Sequence, residues 1–320
     1  MKDCLNDFVL ALAPMAGYTD LAFRQLASRY MLDLSTTEMV SAKALFYGDK
    51  KSRQLMKVSP KEADVSLQLF GEDPKVMAQV ISELCQEDLP YKSFDINMGC
   101  PAPKIVKTGA GSGLLKDISR AKEMMERAVE ASTIPISVKI RKGFEKGDTS
   151  GLEIAKIAEK AGVSWLTVHG RAREDYYSGK ADWDFIGRVA EEVSIPVIGN
   201  GDISEPDQVL MYKEEYKIRG IAIGRASIGR PYIFQEIRYA LEEKNMEPPS
   251  RIEILNIAIE QVRVTLEDKG EKLTVLEMRK HLIAYLKGFK DARKLRDYLM
   301  RLNRTQEVYD FLEELKDAQC

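Results

Sequence analysis

ISVKIRKGFEKGDTSGLEIAKIAEKAGVSWLTVH, residues 136–169, contains two short apolar runs separated by a segment with helical spacing. The runs Ile136–Ile140 and Trp165–His169 are mostly apolar, which is typical of strands buried on both faces of a parallel sheet. Between them, Leu152–Ala161 places apolar residues three and four positions apart, as an amphipathic helix does. This stretch therefore predicts a strand, a covering helix and a second, parallel strand.

The same unit recurs along the chain as far as residue 240. Six further apolar runs are Val9–Met15, Leu34–Met39, Val65–Phe70, Phe94–Met98, Pro196–Asn200 and Ile221–Gly224, with helical stretches such as Leu21–Tyr30, Val76–Cys85 and Ala121–Ala131 between them. Eight strand-helix units in this length predict an α/β fold, a (β/α)8 TIM barrel. A doubly wound sheet would also alternate, but its glycine-rich GxGxxG turn is missing from residues 16–20, AGYTD.

The composition changes after Glu242. Residues 247–250, EPPS, are typical of a linker, and no strand-like run follows Ile252. Apolar residues beyond this point recur at helical spacing. We expect the barrel to occupy residues 1–243 and a small C-terminal all-helical domain to occupy residues 250–320.

Charge is distributed unevenly. The 320 residues include 48 Lys and Arg against 50 Asp and Glu, so the net charge of −2 does not suggest a nucleic-acid partner. Nine basic residues nevertheless fall in one stretch that holds only two aspartates: Arg279, Lys280, Lys287, Lys290, Arg293, Lys294, Arg296, Arg301 and Arg304. Interleaved with Tyr285, Phe289 and Tyr298, they predict a surface that follows RNA phosphates. A solvated helix face is the alternative.

The composition excludes several other classes of protein. With 44% hydrophobic and 31% charged residues, the chain is neither disordered nor fibrous. Four separate cysteines (Cys4, Cys85, Cys100 and Cys320) and two histidines argue against a disulfide framework and a metal site. Phe8–Ala16 fits a first strand better than a signal peptide, and no run reaches the roughly 18 apolar residues of a membrane span. We expect a cytoplasmic protein with reduced thiols and no membrane partner.

Seven of the eight predicted strands end in residues, many of them polar, that a simple loop between a strand and a helix does not require. In a barrel these carboxyl ends form one rim, where the chemistry takes place. The residues are Pro14-Met15-Ala16, Gln68, Asn97 with Cys100, Lys139 with Arg141, His169 with Arg171, Asn200-Gly201-Asp202 and Gly224-Arg225. We expect them to meet in one cup.

Two of these groups suggest particular ligands. Gly201 and Gly224 follow the last two strands, where barrels often bind phosphate through backbone N–H groups, and Arg225 adds positive charge. This predicts a phosphorylated substrate or a cofactor such as FMN. Lys139 is suited either to Schiff-base chemistry or to a place beside the anionic edge of a reduced flavin. A lysine that merely extends from the rim into solvent is the structural alternative.

Cys100 lies in residues 95–104, DINMGCPAPK, directly after a predicted strand. Because proline follows it, we place it in a loop rather than inside a helix. An ordinary thiol, with a pKa of about 8.5, keeps its proton at neutral pH and can donate it. We therefore predict that Cys100 is a proton donor, whereas Cys85 is a small buried apolar residue.

Six motifs in order resemble the tRNA-dihydrouridine synthases, particularly the bacterial B-type group. They are APMAGYTD at 13–20, DINMGCP at 95–101, VKIR at 138–141, TVHGR at 167–171, IGNGD at 198–202 and IGR at 223–225. The resemblance extends into the tail at 279–288, RKHLIAYLKG. Pro103 departs from the B-type pattern, which often has a basic residue there, so a tRNA contact at that position is in doubt.

The resemblance implies a flavoenzyme that uses NADPH to reduce FMN and then reduces a uridine of tRNA to 5,6-dihydrouridine. Hydride would pass from FMN N5 to uracil C6, and Cys100 would protonate C5. The residues lining FMN would be Pro14, Met15, Ala16, Gln68, Lys139 and His169, with Asn200, Gly201, Asp202, Gly224 and Arg225 at its phosphate end. Asn97 and Arg141 would hold uracil, while Lys104, Lys107, Arg279, Lys280, Arg293 and Arg296 would contact tRNA.

Three other functions remain open from the sequence. One is an FMN barrel that acts on a small molecule, as dihydroorotate and dihydropyrimidine dehydrogenases do. The others are an RNA-binding protein without catalysis and an aldolase that uses Lys139 as a Schiff base. The basic tail favours a tRNA substrate over a free pyrimidine, and the presence of both Cys100 and Lys139 favours an enzyme.

Overall fold

Nine parallel strands form the barrel and one short extension of it in the computed structural model, which describes residues 5, 8–87 and 89–318. The strands are β1 (Val9–Leu12), β2 (Leu34–Thr36), β3 (Val40–Ser41), β4 (Asp64–Phe70), β5 (Ser93–Met98), β6 (Ile136–Arg141), β7 (Trp165–His169), β8 (Val197–Asn200) and β9 (Gly220–Ile223). Strand β2 pairs with both β1 and β4, and β9 pairs with β1, so eight strands close into a barrel. The predicted (β/α)8 fold is confirmed.

The predicted strand Leu34–Met39 is shorter in the structure than expected from the sequence. Strand β2 ends at Thr36, and the chain pairs again only at β3, which adds two residues beside β4. Thr37 lies between them and still donates its N–H to the Ser66 carbonyl. This bend carries Met39 out of the sheet and towards the barrel mouth.

In the part of the chain that the structure describes, ten helices cover the barrel: α1 (Leu21–Ala27), α2 (Ala42–Phe46), α3 (Lys50–Gln54), α4 (Pro74–Leu84), α5 (Pro103–Val106), α6 (Ile118–Ala131), α7 (Gly151–Ala161), α8 (Trp183–Glu192), α9 (Pro206–Glu215) and α10 (Ile233–Leu241). Short 3-10 turns occupy Ser28–Tyr30, Gly111–Lys116 and Arg225–Ser227. Aspartates fix several starts, as where the Asp20 side chain accepts a hydrogen bond from the N–H of Phe23. Among the described residues, no helix combines the length and the apolar character needed to cross a membrane.

Alternation along the strands divides the barrel interior into two halves. Towards the amino ends, an apolar plug includes Val9, Trp165 and Ile198. Nearer the carboxyl ends, side chains on the same inward face are polar, among them Gln68, Asp95, Asn97, Lys139, His169 and Asn200. Because strand side chains alternate between faces, the positions between them pack outward against the helices. The inward polar half is therefore open at one end only.

Four more helices follow the barrel: α11 (Arg251–Lys269), α12 (Glu271–Tyr285), α13 (Ala292–Leu299) and α14 (Thr305–Asp317). They enclose their own apolar cluster, which includes Leu255, Val262, Leu282 and Leu312. The prediction that this part is all-helical holds for the described residues, while the boundaries at residues 243 and 250 stay a prediction. Cys4 and Cys320 lie outside the described residues.

The aromatic residues of the basic stretch are placed differently from the prediction. Tyr285 and Phe289 belong to the helical core, and the Tyr285 hydroxyl donates to Gln261 Oε1 at 2.9 Å. Only Tyr298 is exposed, at 54%. The prediction that all three aromatic residues lie on the basic surface is therefore wrong for Tyr285 and Phe289, because packing between the helices turns their rings towards the core.

The helical part contacts the loop that follows β1. Lys269 Nζ lies 2.5 Å from both Asp20 Oδ2 and Glu277 Oε2. The ring of Tyr18 makes an edge-on contact with His281, with centroids 5.5 Å apart, and Lys280 Nζ lies 4.9 Å from the Tyr18 ring centre. This loop also borders the barrel mouth, so the helical part supports one side of that opening.

Candidate active site

One cavity of about 890 Å³ opens at the carboxyl ends of the strands. Every residue predicted to lie at the barrel rim as a cofactor, uracil or proton-donor site lines it. They are Pro14, Met15, Ala16, Gln68, Asn97, Cys100, Lys139, Arg141, His169, Asn200, Gly201, Asp202, Gly224 and Arg225. The fold thus brings these distant residues together, although their individual roles stay predictions.

A chain of hydrogen bonds with a fixed direction lies under this cavity. The buried Asp95 carboxylate accepts hydrogen bonds from Gln68 Nε2 and from Ser137 Oγ, both at 2.7 Å. Gln68 Oε1 in turn accepts from Asn97 Nδ2 at 2.8 Å. Since a carboxylate only accepts, it determines which end of the Gln68 amide faces Asn97. Burial raises the pKa of Asp95.

The chain of bonds ends at the loop that carries Cys100. Asn97 Oδ1 accepts from the N–H groups of Gly99, at 3.1 Å, and Cys100, at 2.8 Å. The Cys100 carbonyl accepts from Ser112 Oγ at 2.9 Å. Both polar ends of Asn97 are therefore already bonded within the protein, so its first role is to hold this loop. A direct contact with uracil would compete with these bonds.

Burial keeps the proton on the Cys100 thiol. Desolvation raises the pKa of Cys100, and the opposing effects of a backbone N–H and of Arg141 and Lys139 are smaller. A raised pKa leaves the sulfur protonated at neutral pH. The side chain can therefore donate a proton and is a weak nucleophile.

Lys139 and His169 lie side by side in the polar half of the barrel. Lys139 Nζ donates to Asn200 Oδ1 at 3.2 Å, and Asn200 Nδ2 donates to the Ala222 carbonyl at 2.7 Å. Burial, followed by the charge of Arg141, lowers the pKa of Lys139 to about 8. Burial and the neighbouring cations hold the pKa of His169 well below its usual range, so its imidazole is neutral at pH 7.

Arg141 joins two loops at the cavity mouth. Its Nε donates to the Gly99 carbonyl at 2.8 Å, and its Nη1 donates to the carbonyls of Ala172, at 2.9 Å, and Tyr176, at 3.1 Å. Burial lowers the pKa of Arg141 to about 10, which leaves it charged at neutral pH. Within the described residues Nη2 has no acceptor, so this nitrogen is the one free to meet a substrate.

An anion-binding arrangement forms where β8 and β9 end. The backbone N–H groups of Gly201, Asp202, Gly224 and Arg225 donate to no acceptor in the part of the chain that the structure describes. Gly201 has φ +136°, and a Cβ there would come within 2.5 Å of the Ala181 Cβ. Free N–H groups at a turn attract phosphate, and the absence of side chains lets a ligand approach them.

Asp202 contributes to this region by binding two arginine side chains, not by contacting an anion directly. Its carboxylate accepts from Arg171 Nη2 at 2.6 Å and from Arg225 Nη2 at 3.3 Å. These bonds and the N–H of Ala181 outweigh desolvation and lower the pKa of Asp202. The carboxylate thus joins Arg225, which lines the cavity, to the buried Arg171.

The residues predicted to contact tRNA are not in this cavity. Lys104 is exposed on α5, Arg293 is exposed on α13, and Arg296 is half-buried on the same helix. Lys280 covers the ring of Tyr18, which does line the cavity. Arg279 Nη2 donates to the Leu302 carbonyl at 2.9 Å, so its guanidinium is partly used inside the helical part.

The site also contains several residues that were not predicted from the sequence. Asp95 lies two positions before Asn97 on a buried strand, so period-two alternation could have placed it on the inward face. Tyr18, Met39, Tyr176 and Tyr177 also line the cavity. The last two come from the loop after β7, for which the sequence gives no comparable signal. Among the described residues, no group of three or more His, Cys, Asp or Glu side chains is placed to hold a metal ion.

The comparison with protein families identifies the class of this site. Residues 11–319 match the family described as "Dihydrouridine synthase (Dus)". The chain belongs to the dihydrouridine synthase family. This membership confirms the resemblance that the six motifs carry.

Relatives within the dihydrouridine synthase family match nearly the whole chain. It is 36% identical to tRNA-dihydrouridine synthase B of Pseudomonas aeruginosa, over 97% of this chain and 90% of that protein. It is 37% identical to the protein of the same name from Shewanella oneidensis, over 95% and 94%. A probable tRNA-dihydrouridine synthase of Rickettsia bellii is 36% identical over the same two shares.

Solved structures show the same barrel in more distant proteins. A histamine dehydrogenase from Rhizobium sp. 4-9 superposes with a TM-score of 0.56 at 13% identity, over 80% of this chain. An amine oxidase from Pseudomonas geniculata N1 also gives 0.56 at 13% identity, over 73% of this chain. The dihydrouridine synthase chain spans about half of each of these proteins, at 48% and 47%. At this identity the likeness concerns the fold alone.

Proposed function

We propose that this chain is a tRNA-dihydrouridine synthase, an oxidoreductase that uses FMN and NADPH to reduce the C5=C6 bond of a uridine in tRNA. The observation that carries the proposal, beside family membership, is the presence of a protonated thiol and a half-buried lysine in one cavity, next to a group of free backbone N–H groups that can bind an anion. The relatives named tRNA-dihydrouridine synthase B indicate the substrate. We expect the enzyme to act in the cytoplasm.

The residues of the cavity fit FMN. A volume of about 890 Å³ is within the range of cofactor sites. The free N–H groups near Gly201 and Gly224, with Arg225 beside them, suit one phosphate group. Pro14, Met15 and Ala16 offer an apolar edge to a flat ring, and Lys139 offers a cation. NADPH as the reductant rests on the family resemblance.

Bound FMN would supply hydride for uracil C6 after its own reduction by NADPH. Cys100 would supply the proton for C5, and its buried thiol is protonated at the pH of the cell. Asn97 would hold the Cys100 loop in place through its two accepted N–H bonds. After the proton transfer, the thiolate must take up a proton from solvent before the next turnover.

Absorption spectroscopy with NADPH and unmodified tRNA tests this function. We expect flavin bands at about 370 and 450 nm that bleach with NADPH and return when tRNA is added. Mass spectrometry of the recovered tRNA should show a nucleoside heavier by two hydrogens. In a Cys100→Ala variant, we expect flavin reduction to persist while reoxidation by tRNA slows by about 10²–10⁴-fold. A colourless protein that does not take up FMN would contradict the proposal.

A free pyrimidine is the second candidate substrate, because a flavin and a thiol donor would serve it equally well. The exposed Arg293 and Lys294 of α13 favour tRNA, since a small molecule makes no use of them. Reoxidation by uracil or orotate but not by tRNA would establish the small-molecule function instead.

A further inference from the structure

An exposed aromatic pair at the end of α2 has no part in the chemistry described above. Phe46 ends α2 and Tyr47 follows it, and their rings meet edge to face with centroids 5.1 Å apart. Tyr47 is 75% exposed and Phe46 is 37% exposed. A tyrosine this exposed on a loop provides a flat apolar face that the protein itself does not cover.

The helix that carries the pair begins at the same end of the barrel as the cavity. Helix α2 begins directly after β3, at the carboxyl end of the strands, and Met39 just before β3 lines the cavity. Lys43 Nζ lies 3.2 Å from Glu72 Oε1, which ties α2 to the loop after β4. A Cβ on Gly109 would lie 3.9 Å from the Glu72 Cβ, so the segment that follows α5 adjoins the same loop.

Positive charge accompanies the pair along the chain and on the segment that adjoins the loop after β4. Lys50 and Lys51 follow the pair on α3, and Lys104 and Lys107 lie on and after α5. All four are exposed, and none forms an ion pair with a described residue. The acids nearby are already used: the Asp49 carboxylate caps α3 through the N–H of Ser52, and Glu72 pairs with Lys43. We call Phe46, Tyr47 and these four lysines the aromatic–basic surface.

We propose that the aromatic–basic surface binds an unpaired stretch of the tRNA beside the target uridine, with one base stacked on Tyr47 and phosphates at the lysines. The inference rests on the proposed function. Unpaired RNA is recognised by stacking on exposed aromatic rings and by cations along its backbone, and both are present here. A uridine turned into the cavity leaves its neighbours unstacked, so an exposed aromatic face on the helix that begins at this end of the barrel has a base to receive.

Two substitutions of Tyr47 test the surface in the full-length enzyme. We expect Tyr47→Ser to weaken the Kd for unmodified tRNA by about tenfold, because one stacked base is lost, and to leave flavin reduction by NADPH unchanged. Tyr47→Trp should keep the affinity, and its added fluorescence should be quenched when tRNA binds. The two natural tryptophans, Trp165 and Trp183, are buried and provide a stable background.

Met211→Ser on α9 is the matched control, because Met211 is 48% exposed and lies outside the surface. Unchanged tRNA affinity in Tyr47→Ser, in an enzyme whose wild type is reoxidised by tRNA, overturns the surface alone. A wild type that forms dimers which Tyr47→Ser dissociates, with equal affinity for tRNA, overturns it in favour of contact between two copies of the chain. If tRNA neither binds nor reoxidises the wild type, the proposed function fails and the surface fails with it.

Discussion

Replacing Asp95 tests whether a buried carboxylate fixes the position of Cys100. Asp95→Leu deprives Gln68 Nε2 and Ser137 Oγ of their acceptor. Each buried group left unsatisfied costs about 1–3 kcal/mol, so we expect the free energy of unfolding to fall by about 2–6 kcal/mol, less the relief from no longer burying the carboxyl group. Asp95→Asn keeps one acceptor for Gln68 and can donate to Ser137, so its loss should stay within about 1 kcal/mol.

The functional consequence should concern the thiol more than the flavin. Once the Gln68 amide can turn, Asn97 no longer has a fixed direction and the N–H groups of Gly99 and Cys100 lose their acceptor. A displacement of about 1 Å at a reacting group can cost about a hundredfold in rate. We therefore expect Asp95→Leu to slow reoxidation by tRNA far more than reduction by NADPH, and to change the rate at which iodoacetamide alkylates Cys100.

The measurements are urea unfolding, stopped-flow absorbance for the two half-reactions, and mass spectrometry of the alkylated thiol. Asp95→Asn is the control, since it has nearly the same shape and can keep the direction of the hydrogen bonds. The reasoning is refuted if Asp95→Leu unfolds like the wild type and Cys100 is alkylated at an unchanged rate. Equal slowing of both half-reactions would also contradict it, because that pattern indicates general damage to the barrel.

Three further outcomes follow from the site and the tail. The pKa of Lys139 is about 8 in the free protein and a bound anion raises it, so the rate of flavin reduction should fall only above that pH in a pH profile, and Lys139→Arg should move the fall to still higher pH. Gly201→Ala places a Cβ 2.5 Å from the Ala181 Cβ at φ +136°, so FMN affinity and thermal stability should both drop, by about 1–3 kcal/mol in stability. Arg293→Ala and Arg296→Ala should each weaken tRNA binding and reduce the slope of log K against log salt by about one, with FMN content unchanged; equal slopes in a filter-binding titration would count against a phosphate contact.

The barrel could be predicted from sequence because strands buried on both faces need continuous apolar runs, and such runs are visible in one dimension. The rim residues followed from the fold, since the carboxyl ends of all eight strands meet whatever the helices between them look like. His169 and Gly224 could therefore be placed in one cavity from sequence positions far apart.

What could not be predicted depends on contacts that only the folded chain makes. The sequence assigns Arg141 to a substrate, but two of its nitrogens bond backbone carbonyls of loops that approach it in space. Tyr285 was assigned to a surface, yet packing between helices turns it inward to Gln261. Alternation along β5 could place Asp95 on the inward face, but its hydrogen bond with Ser137 of the next strand could not be predicted.

The protonation state of Lys139 is also coupled to the binding of an anion in the cavity. In a chain with a net charge of −2, Arg141 and Arg225 line the cavity with Lys139, and His169 there is neutral. Burial lowers the pKa of Lys139 to about 8, so above that pH the free protein holds the amine without its proton. An anionic group bound beside the amine raises this pKa again, because opposite charge stabilises the protonated form. Binding of FMN should therefore take up protons at about pH 8.5 and almost none at about pH 6, where the amine is already protonated. Calorimetry of the apoprotein in buffers with different heats of ionisation measures the uptake, and Lys139→Met should abolish it; proton release by the wild type at the higher pH would show that the bound anion lies away from Lys139.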